Sequence, residues 1–197
     1  MNMSNIWFTG DTHFGHRNIL KYCKRPFDSI KDHDSILIQN WNSVVQPGDT
    51  VYHLGDFALA PKEYVEKILR RLMGNIVFIR GNHDRVMQAW VKKYLTEVAP
   101  LYEIKVQDEE MDLKQNIVLC HYAMQVWNKS HHGSWHLHGH SHGTLPSAPH
   151  QARLDVGVDV HRYYPISYED VKYHMTKKVF KPVDHHGSKE PVDHHPV

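Results

Sequence analysis

The sequence predicts an α/β domain built on two β-sheets. In the first half of the 197-residue chain, short apolar stretches alternate with amphipathic helical stretches, the order expected of parallel strands joined by crossover helices. In the second half, strand-like stretches follow one another with no long helical pattern between them, which indicates a second, largely antiparallel sheet. A chain of this length builds one domain with a buried core, and we expect it to span residues 1–181.

Three strand–helix repeats form the predicted first half. A glycine and a polar residue follow each strand, and glycine or proline residues end the first two helices. Pro61 suits the first turn of the second helix. The predicted strands are 6–9, 50–54 and 75–80, and the predicted helices are 34–45, 61–73 and one after residue 84.

The second half contains four predicted strands, one late helix and a short closing strand. The helix begins near Ser167, where Asp170 three residues on completes a capping box. Residues 182–197 are rich in Pro and His and repeat the letters VDHH, so we expect a flexible tail. The predicted strands are 101–107, 116–120, 135–137, 153–158 and 177–180.

Composition narrows the class of partner. With a net charge of +1, the chain offers no basic face for gripping duplex nucleic acid, whereas a small phosphorylated substrate or nucleotide remains compatible because bound metal ions supply local positive charge. Only two cysteines are present, as expected of free thiols in a reducing cytosol. We expect a cytoplasmic protein because no signal-peptide pattern or membrane-spanning apolar run is found. The sequence makes no prediction of oligomeric state.

Polar residues follow the predicted strands at the point where each strand ends. In open α/β sheets, ligands bind beyond the carboxyl ends of the strands. Residues two apart on an extended chain project to one side, so Asp11 with His13, and His140 with His142, each direct two side chains toward one point. The polar groups are Asp11-Thr12-His13, Gly55-Asp56, Gly81-Asn82-His83-Asp84, Cys120-His121 and Gly139-His140-Ser141-His142.

The chemistry of these side chains predicts a metal site. Carboxylate, amide and imidazole groups without a thiolate suit Mn, Fe, Zn, Co or Ni in a hydrolytic centre better than a structural zinc. The candidates are too numerous for one ion with an open position, and two ions sharing a carboxylate fit the number. We expect two divalent ions, with manganese favoured. The candidate ligands are Asp11, His13, Asp56, Asn82, His121, His140 and His142.

The ordered set DTH, GD, GNHD, H and GHSH, within residues 11–142, resembles the calcineurin-like metallophosphoesterases. The resemblance implies a four-layer α-β-β-α sandwich. It also implies that Asp56 bridges two metals and that a water or hydroxide between them attacks phosphorus in line. It assigns Asp11, His13, Asp56 and His142 to one metal, and Asp56, Asn82, His121 and His140 to the other.

The resemblance also implies roles for residues that do not bind metal. His83 would protonate the leaving oxygen or stabilise its charge, and Asp84 would orient the His83 ring. The alternative for Asp84 is an acid at a helix start. His16 and Arg17 are candidates for contact with the substrate phosphate, the alternative being a polar loop.

Several other polar residues receive structural interpretations. His53 precedes Asp56 by an odd number of residues, so on an extended strand its side chain points to the side opposite Asp56. We therefore expect it in the core or on the surface and not among the candidate ligands. His138 is a candidate for a hydrogen bond to a metal ligand. Lys21, Lys24 and Arg25 are expected in a solvated loop, the alternative being a positive rim around the site.

The motifs narrow the activity to a phosphoesterase with small substrates. The family's protein phosphatases carry GDxxDRG and GNHE, whereas this chain has GDFALAP and GNHD, which disfavours phosphoprotein substrates. The leading hypothesis is hydrolysis of a small or nucleotide phosphodiester. The alternatives are a phosphomonoesterase, a small single-strand nuclease, and a non-catalytic interaction module of the same fold. The last would be expected to lose ligands or His83, which are all present.

Overall fold

Two β-sheets lie at the centre of the computed structural model, which describes residues 5–84, 89–108, 110, 112–146, 148–181 and 183. The α-helices are α1 (Ile19–Tyr22), α2 (Ile30–Val44), α3 (Lys62–Leu69) and α4 (Tyr168–Thr176). The strands are β1 (Ile6–Thr9), β2 (Thr50–His53), β3 (Asn75–Phe78), β4 (Leu95–Glu97), β5 (Leu101–Asp108), β6 (Leu113–Cys120), β7 (Trp135–His138), β8 (Arg153–Asp155) and β9 (Ile166–Ser167).

The first sheet has the order β4-β3-β2-β1-β9. Strands β1 to β4 pair in parallel, as the alternation of strands and helices predicted, and β9 adds an antiparallel edge beside β1. Thr9 is aligned with His53, and His53 with Phe78. The carboxyl ends of β1, β2 and β3 therefore lie side by side at one edge.

The second sheet, in the order β5-β6-β7-β8, corrects one prediction. Only β5 and β6 are antiparallel, while β6–β7 and β7–β8 pair in parallel. The expectation of a largely antiparallel sheet was wrong because segments 121–134 and 139–152 are long enough to carry the chain back to the same end. Parallel pairing needs such a connection of about a dozen residues or more.

Two hydrophobic clusters hold the layers together. One joins both sheets and α4 through Phe8, Leu54, Leu119 and Val171, while the other packs α2 and α3 on the opposite face of the first sheet. Successive residues of a strand face opposite sides, so β1 and β2 contribute residues to both clusters. A fully buried large apolar side chain contributes about 1.5–3 kcal/mol, which makes the strand ends a rigid base. The predicted α/β class with two sheets is confirmed.

The helix boundaries follow local capping. Helix α2 begins four positions earlier than predicted, at Ile30, because Ser29 accepts a hydrogen bond from the Asp32 amide. Helix α3 ends at Leu69, before the predicted end. The predicted cap of α4 is confirmed, since the Ser167 hydroxyl accepts from the Asp170 amide at 3.1 Å.

Four other predicted segments differ from the structure or lie outside the described residues. Residues 85–88 of the predicted third helix are outside them, and Ala89–Lys93 forms a 3-10 helix. The predicted strand 153–158 ends at Asp155, and residues 177–180 follow α4 without forming a strand. Apart from Val183, the predicted tail 182–197 lies outside the described residues. Within the described part, no helix has the length and apolar character to cross a membrane.

Candidate metal centre

The polar strand ends of both sheets meet at one place. The amide of Asp11 donates to the Gly55 carbonyl at 2.9 Å, which joins the loops after β1 and β2. The Gly139 amide donates to the His121 carbonyl at 3.0 Å, which joins the loops after β6 and β7. The Gly10–Gly157 bridge then connects the two sheets. The motifs predicted to act together are therefore adjacent in space.

The backbone at this site is strained. Five candidate ligands have a positive φ, a conformation that costs side-chain-bearing residues on the order of 1–3 kcal/mol. Such strain persists where the surrounding fold over-determines it, and it clusters at functional sites. The values are 55° for Asp11, 49° for His13, 54° for Asp56, 67° for His140 and 47° for His142.

Six candidate ligands form two clusters. Asp11, His13 and His142 make the first cluster, and Asp56, His121 and His140 make the second. Within each cluster the ligating atoms lie within 4.8 Å of one another. Residues that share a cluster also share a metal in the assignment that the family resemblance implies.

The Asp56 carboxylate lies between the two clusters. Its Oδ2 is 3.5 Å from Nε2 of His13 in the first cluster and 3.5 Å from Nε2 of His121 in the second. Both histidines are almost completely buried. One oxygen of Asp56 is thus within reach of an ion in either cluster.

His121 is oriented so that Nε2 faces the second cluster. Its Nδ1 donates to the Leu54 carbonyl at 2.7 Å, which places the single proton of a neutral ring on that atom. Nε2 then faces Oδ1 of Asn82 at 3.0 Å as well as the Asp56 carboxylate. In the metal-free protein a proton on Nε2 fits between these groups, because burial opposes protonation but the Asp56 carboxylate outweighs this effect and raises the pKa of His121; a bound cation would take the place of that proton.

The buried His13 ring gives a direct test of whether a metal fits. Its Nε2 has no hydrogen-bond partner among the described residues, and an unsatisfied buried polar atom costs about 1–3 kcal/mol. A divalent ion coordinated by His13 and Asp56 would satisfy both groups. The nitrogen and oxygen donors match the ions expected of a hydrolytic site, so the residues fit a metal centre.

A sequence model of the calcineurin-like phosphoesterases matches residues 4–193. The chain belongs to this family. An uncharacterized protein of Methanocaldococcus jannaschii is 34% identical over 174 residues, covering 85% of this chain and 89% of that protein. The gene 66 protein of Mycobacterium phage L5 is 28% identical over 188 residues, covering 80% and 87%.

The solved structures agree on the fold. A protein of unknown function from Aquifex aeolicus has a TM-score of 0.65 at 22% identity and covers 87% of this chain and 100% of that chain. At this identity the likeness shows the fold alone. It supports the two-sheet architecture of this calcineurin-like phosphoesterase.

In the metal-free phosphoesterase, the pKa shifts favour the ligating forms of His13 and Asp56 and the protonated forms of Asp11 and His142. Burial lowers the pKa of His13 to about 2, so the ring is neutral. Burial opposes ionisation of Asp56, but the hydrogen bonds from His121 and the His83 amide outweigh it and hold the pKa of Asp56 below its ordinary value. Burial raises the pKa of Asp11 from 3.8 to about 7. A bound cation would therefore compete with a proton at Asp11.

His83 and Asp84 have different surroundings in this phosphoesterase. The exposed His83 ring lies beside the first cluster, with its centroid 5.4 Å from that of His13. Asp84 is buried and accepts hydrogen bonds from the amides of Asp56 (2.6 Å), Phe57 (2.9 Å) and Gly81 (2.7 Å). These backbone contacts take the place of the contact with the His83 ring expected for Asp84. Asp84 instead fixes the loops that carry Asp56 and Asn82.

The remaining predicted residues surround the centre. His16 contacts His13 through their Nδ1 atoms at 3.2 Å, and Arg17 is exposed on the same loop. His53 is fully buried, so of the two predicted positions, core and surface, the structure shows the core. Its ring forms a hydrogen bond with the Thr12 hydroxyl at 3.0 Å. The expected bond from His138 to a ligand is replaced by one to the Gly139 carbonyl at 3.0 Å.

Two polar residues next to the centre were not found by sequence reasoning. Arg25, expected in a solvated loop, is only 4% exposed and donates to the carbonyl oxygens of Asp11 and Thr12. Asp159 lies 2.7 Å from Nδ1 of His142. Asp159 belongs to none of the motifs, and nothing in the local pattern distinguishes a buried arginine from an exposed one. Only the position of Arg25 shortly after the first motif pointed toward the site.

Proposed function

We propose that this calcineurin-like phosphoesterase uses two divalent ions to hydrolyse small or nucleotide phosphodiesters. The observation that carries the proposal is the position of Asp56, whose Oδ2 lies 3.5 Å from a ligating nitrogen of each cluster. A carboxylate shared in this way is the feature that distinguishes a two-metal centre from two separate sites.

The two ligand sets divide between the clusters. Asp11, His13 and His142, with Asp56, would hold one ion; Asp56, Asn82, His121 and His140 would hold the other. The bound ions would lower the pKa of a coordinated water and neutralise charge on the phosphoryl oxygens. We favour manganese among the Mn, Fe, Zn, Ni and Co ions that these donors accept.

His83 is the proposed general acid. Its backbone amide donates to Oδ1 of Asp56 at 2.9 Å, while its ring remains exposed on the side of the first cluster. A phosphate held at the first cluster would therefore lie next to the His83 ring, whose contacts are with the rings of His13 and His16. Protonation of the leaving oxygen by a placed histidine contributes typically about 10²–10⁴-fold to the rate.

Residues at the rim favour a nucleotide-like substrate. The exposed Tyr122 ring lies 4.8 Å from the His140 ring, and the exposed Tyr22 ring lies 6.2 Å from the His16 ring. A nucleobase that stacks on such an aromatic gains about 1–3 kcal/mol. His16 and Arg17 would contact the phosphate between these aromatics.

The test is a metal-dependent assay of the purified protein after removal of metal. Bis-p-nitrophenyl phosphate and p-nitrophenyl phosphate are compared with Mn, Ni, Zn, Co and Mg added separately, and a nucleotide diester serves as a third substrate. Turnover of diesters above the monoester, absent in Asp56→Asn, is the expected result. Preference for the monoester would replace the proposal with a phosphomonoesterase. Turnover that needs no metal would contradict it.

A further inference from the structure

His142 of the first cluster is held by a carboxylate outside the family motifs. Its Nδ1 lies 2.7 Å from Oδ2 of Asp159, and the two side chains are 18% and 9% exposed. A ring nitrogen that faces a carboxylate carries a proton. The nitrogen left to bind a metal is therefore Nε2, on the opposite side of the ring.

Asp159 is itself fixed by a two-pronged ion pair. Arg25 donates through Nε to Oδ1 at 2.8 Å and through Nη2 to Oδ2 at 2.6 Å. The arginine side chain is fully buried. This parallel geometry sets the plane of the carboxylate as well as its position, so the proton acceptor of His142 has a single orientation.

The same guanidinium is bonded to the loop that carries the other first-cluster ligands. Nη2 of Arg25 donates to the Asp11 carbonyl at 2.7 Å, and Nη1 donates to the Thr12 carbonyl at 3.1 Å. Nη1 also contacts Nε2 of His33 at 2.7 Å. One buried side chain thus connects the strand-end loop of Asp11 and His13 to the carboxylate that orients His142.

Cys23 lies close enough to His142 and Asp159 to suggest that these three residues bind a metal ion of their own. Cys23, His142 and Asp159 present ligand atoms within 4.8 Å of one another, as a metal site would. Arg25, however, occupies both oxygens of Asp159, and its positive charge beside them repels a cation. The arrangement therefore favours a positioning role for Asp159 over a ligand role.

We propose that Asp159 and Arg25 are positioning residues that hold His142 in the tautomer and direction required by the first metal. The proposal rests on the two-metal function. Partners of this kind orient metal-bound histidines, and their loss typically weakens metal affinity by about 10–100-fold. The effect should be confined to one of the two ions, because His121, His140 and Asn82 make no contact with Asp159 among the described residues.

The test is titration of the metal-free protein with manganese, followed by calorimetry and equilibrium dialysis, for wild type and Asp159→Asn. The amide keeps the shape of the carboxylate, but its NH2 group opposes one of the Arg25 donors and its neutral oxygen is a weaker acceptor for Nδ1 of His142. We expect two ions in wild type, and in the variant one site of wild-type affinity with the other weakened about 10–100-fold. Activity at limiting manganese should fall, and saturating manganese should restore most of it.

Asp108→Asn is the matched control. Asp108 is also buried and paired, with Tyr168 at 2.9 Å and Lys172 at 3.0 Å. It lies at the far end of β5 from the residues next to His121, about 23 Å along the strand at 3.3 Å per residue. This variant should bind two ions as wild type does, even if it is less stable.

Arg25→Lys keeps the positive charge and removes the two-pronged contact with Asp159. This variant tests the proposed positioning role if Asp159→Asn does not fold. A selective weakening of one ion in this variant supports the proposal. Wild-type affinity for both ions in a folded Asp159→Asn or Arg25→Lys overturns it and leaves the two-metal function standing. If wild type itself binds fewer than two ions, the proposed function fails first.

Discussion

The backbone amide of His83 donates a hydrogen bond to Oδ1 of Asp56 at 2.9 Å. The proposed acid and the proposed bridging ligand are therefore fixed to each other through one peptide group. Asp56 uses its other oxygen, Oδ2, toward His13 and His121. A metal ion bound to Asp56 would therefore lie at a fixed distance from the backbone that carries the His83 ring.

His83→Ala should lose activity without losing metal. The ring is exposed and only its amide touches Asp56, so both ions should bind as in wild type. We expect kcat to fall about 10²–10⁴-fold for an alkyl ester, whose leaving oxygen needs a proton, and clearly less for a p-nitrophenyl ester. Steady-state kinetics with both esters and metal analysis of the variant provide the measurement. Equal losses for the two leaving groups would argue against an acid role.

Asp84→Ala should destabilise the whole protein. The change removes the acceptor of three buried amides, those of Asp56, Phe57 and Gly81, and each hydrogen bond to a charged group contributes about 1.5–3 kcal/mol. We expect the free energy of unfolding in urea to fall by about 3 kcal/mol or more. Asp32→Ala, which changes an exposed carboxylate at the start of α2, should cost under about 1 kcal/mol. Similar values for both would contradict the assigned contacts.

Gly81→Ala should disturb the bridging carboxylate. A Cβ at this position would lie 2.6 Å from the Asp56 amide nitrogen and would also collide with Oδ1 of Asp56. Displacement of Asp56 should weaken both ions, which isothermal titration measures directly. Gly48→Ala is the control because a Cβ there meets nothing within 4 Å. Unchanged metal affinity in Gly81→Ala would mean that the loop moves without carrying the carboxylate.

The stability of the metal-free protein should depend on pH through Asp11. Burial raises the pKa of Asp11 from 3.8 to about 7, so the folded protein holds this proton more tightly than the unfolded chain does. The contribution of this proton to the free energy of unfolding is fully present below about pH 4 and is lost as the pH rises through about 7. Between pH 5 and 8 the wild type should lose on the order of 3 kcal/mol relative to Asp11→Asn, which has no such proton. Urea unfolding of both proteins at the two pH values measures the difference, and parallel curves would refute it.

The sequence predicted the part of the site that depends on strand ends. Asp11, Asp56 and Asn82 follow strands whose parallel pairing was foreseeable from the alternation of strands and helices, and parallel strands bring their carboxyl ends to one edge. Counting along an extended strand placed His53 on the side away from Asp56 and left core and surface open; the structure places it in the core. These inferences used only local periodicity, which a sequence displays directly.

What the sequence did not predict depends on contacts between distant segments. Arg25 and Asp159 are 134 residues apart, and the sequence around each of them contains no pattern that predicts a buried ion pair. The direction of β7 relative to β6 depends on the path of the connecting segment 121–134, and the composition of that segment is compatible with parallel or antiparallel pairing. The family resemblance assigned Asp84 to the His83 ring, whereas the fold turns its carboxylate toward three backbone amides.

The central claim is that two ions bind together around Asp56. Crystals of the manganese-loaded protein, measured at the manganese absorption edge, test this claim most directly. The account predicts two anomalous peaks about 3.5–4 Å apart, one beside Asp11, His13 and His142 and the other beside Asn82, His121 and His140, with Asp56 contacting both. A single peak under saturating manganese, or two peaks that do not share Asp56, would contradict it.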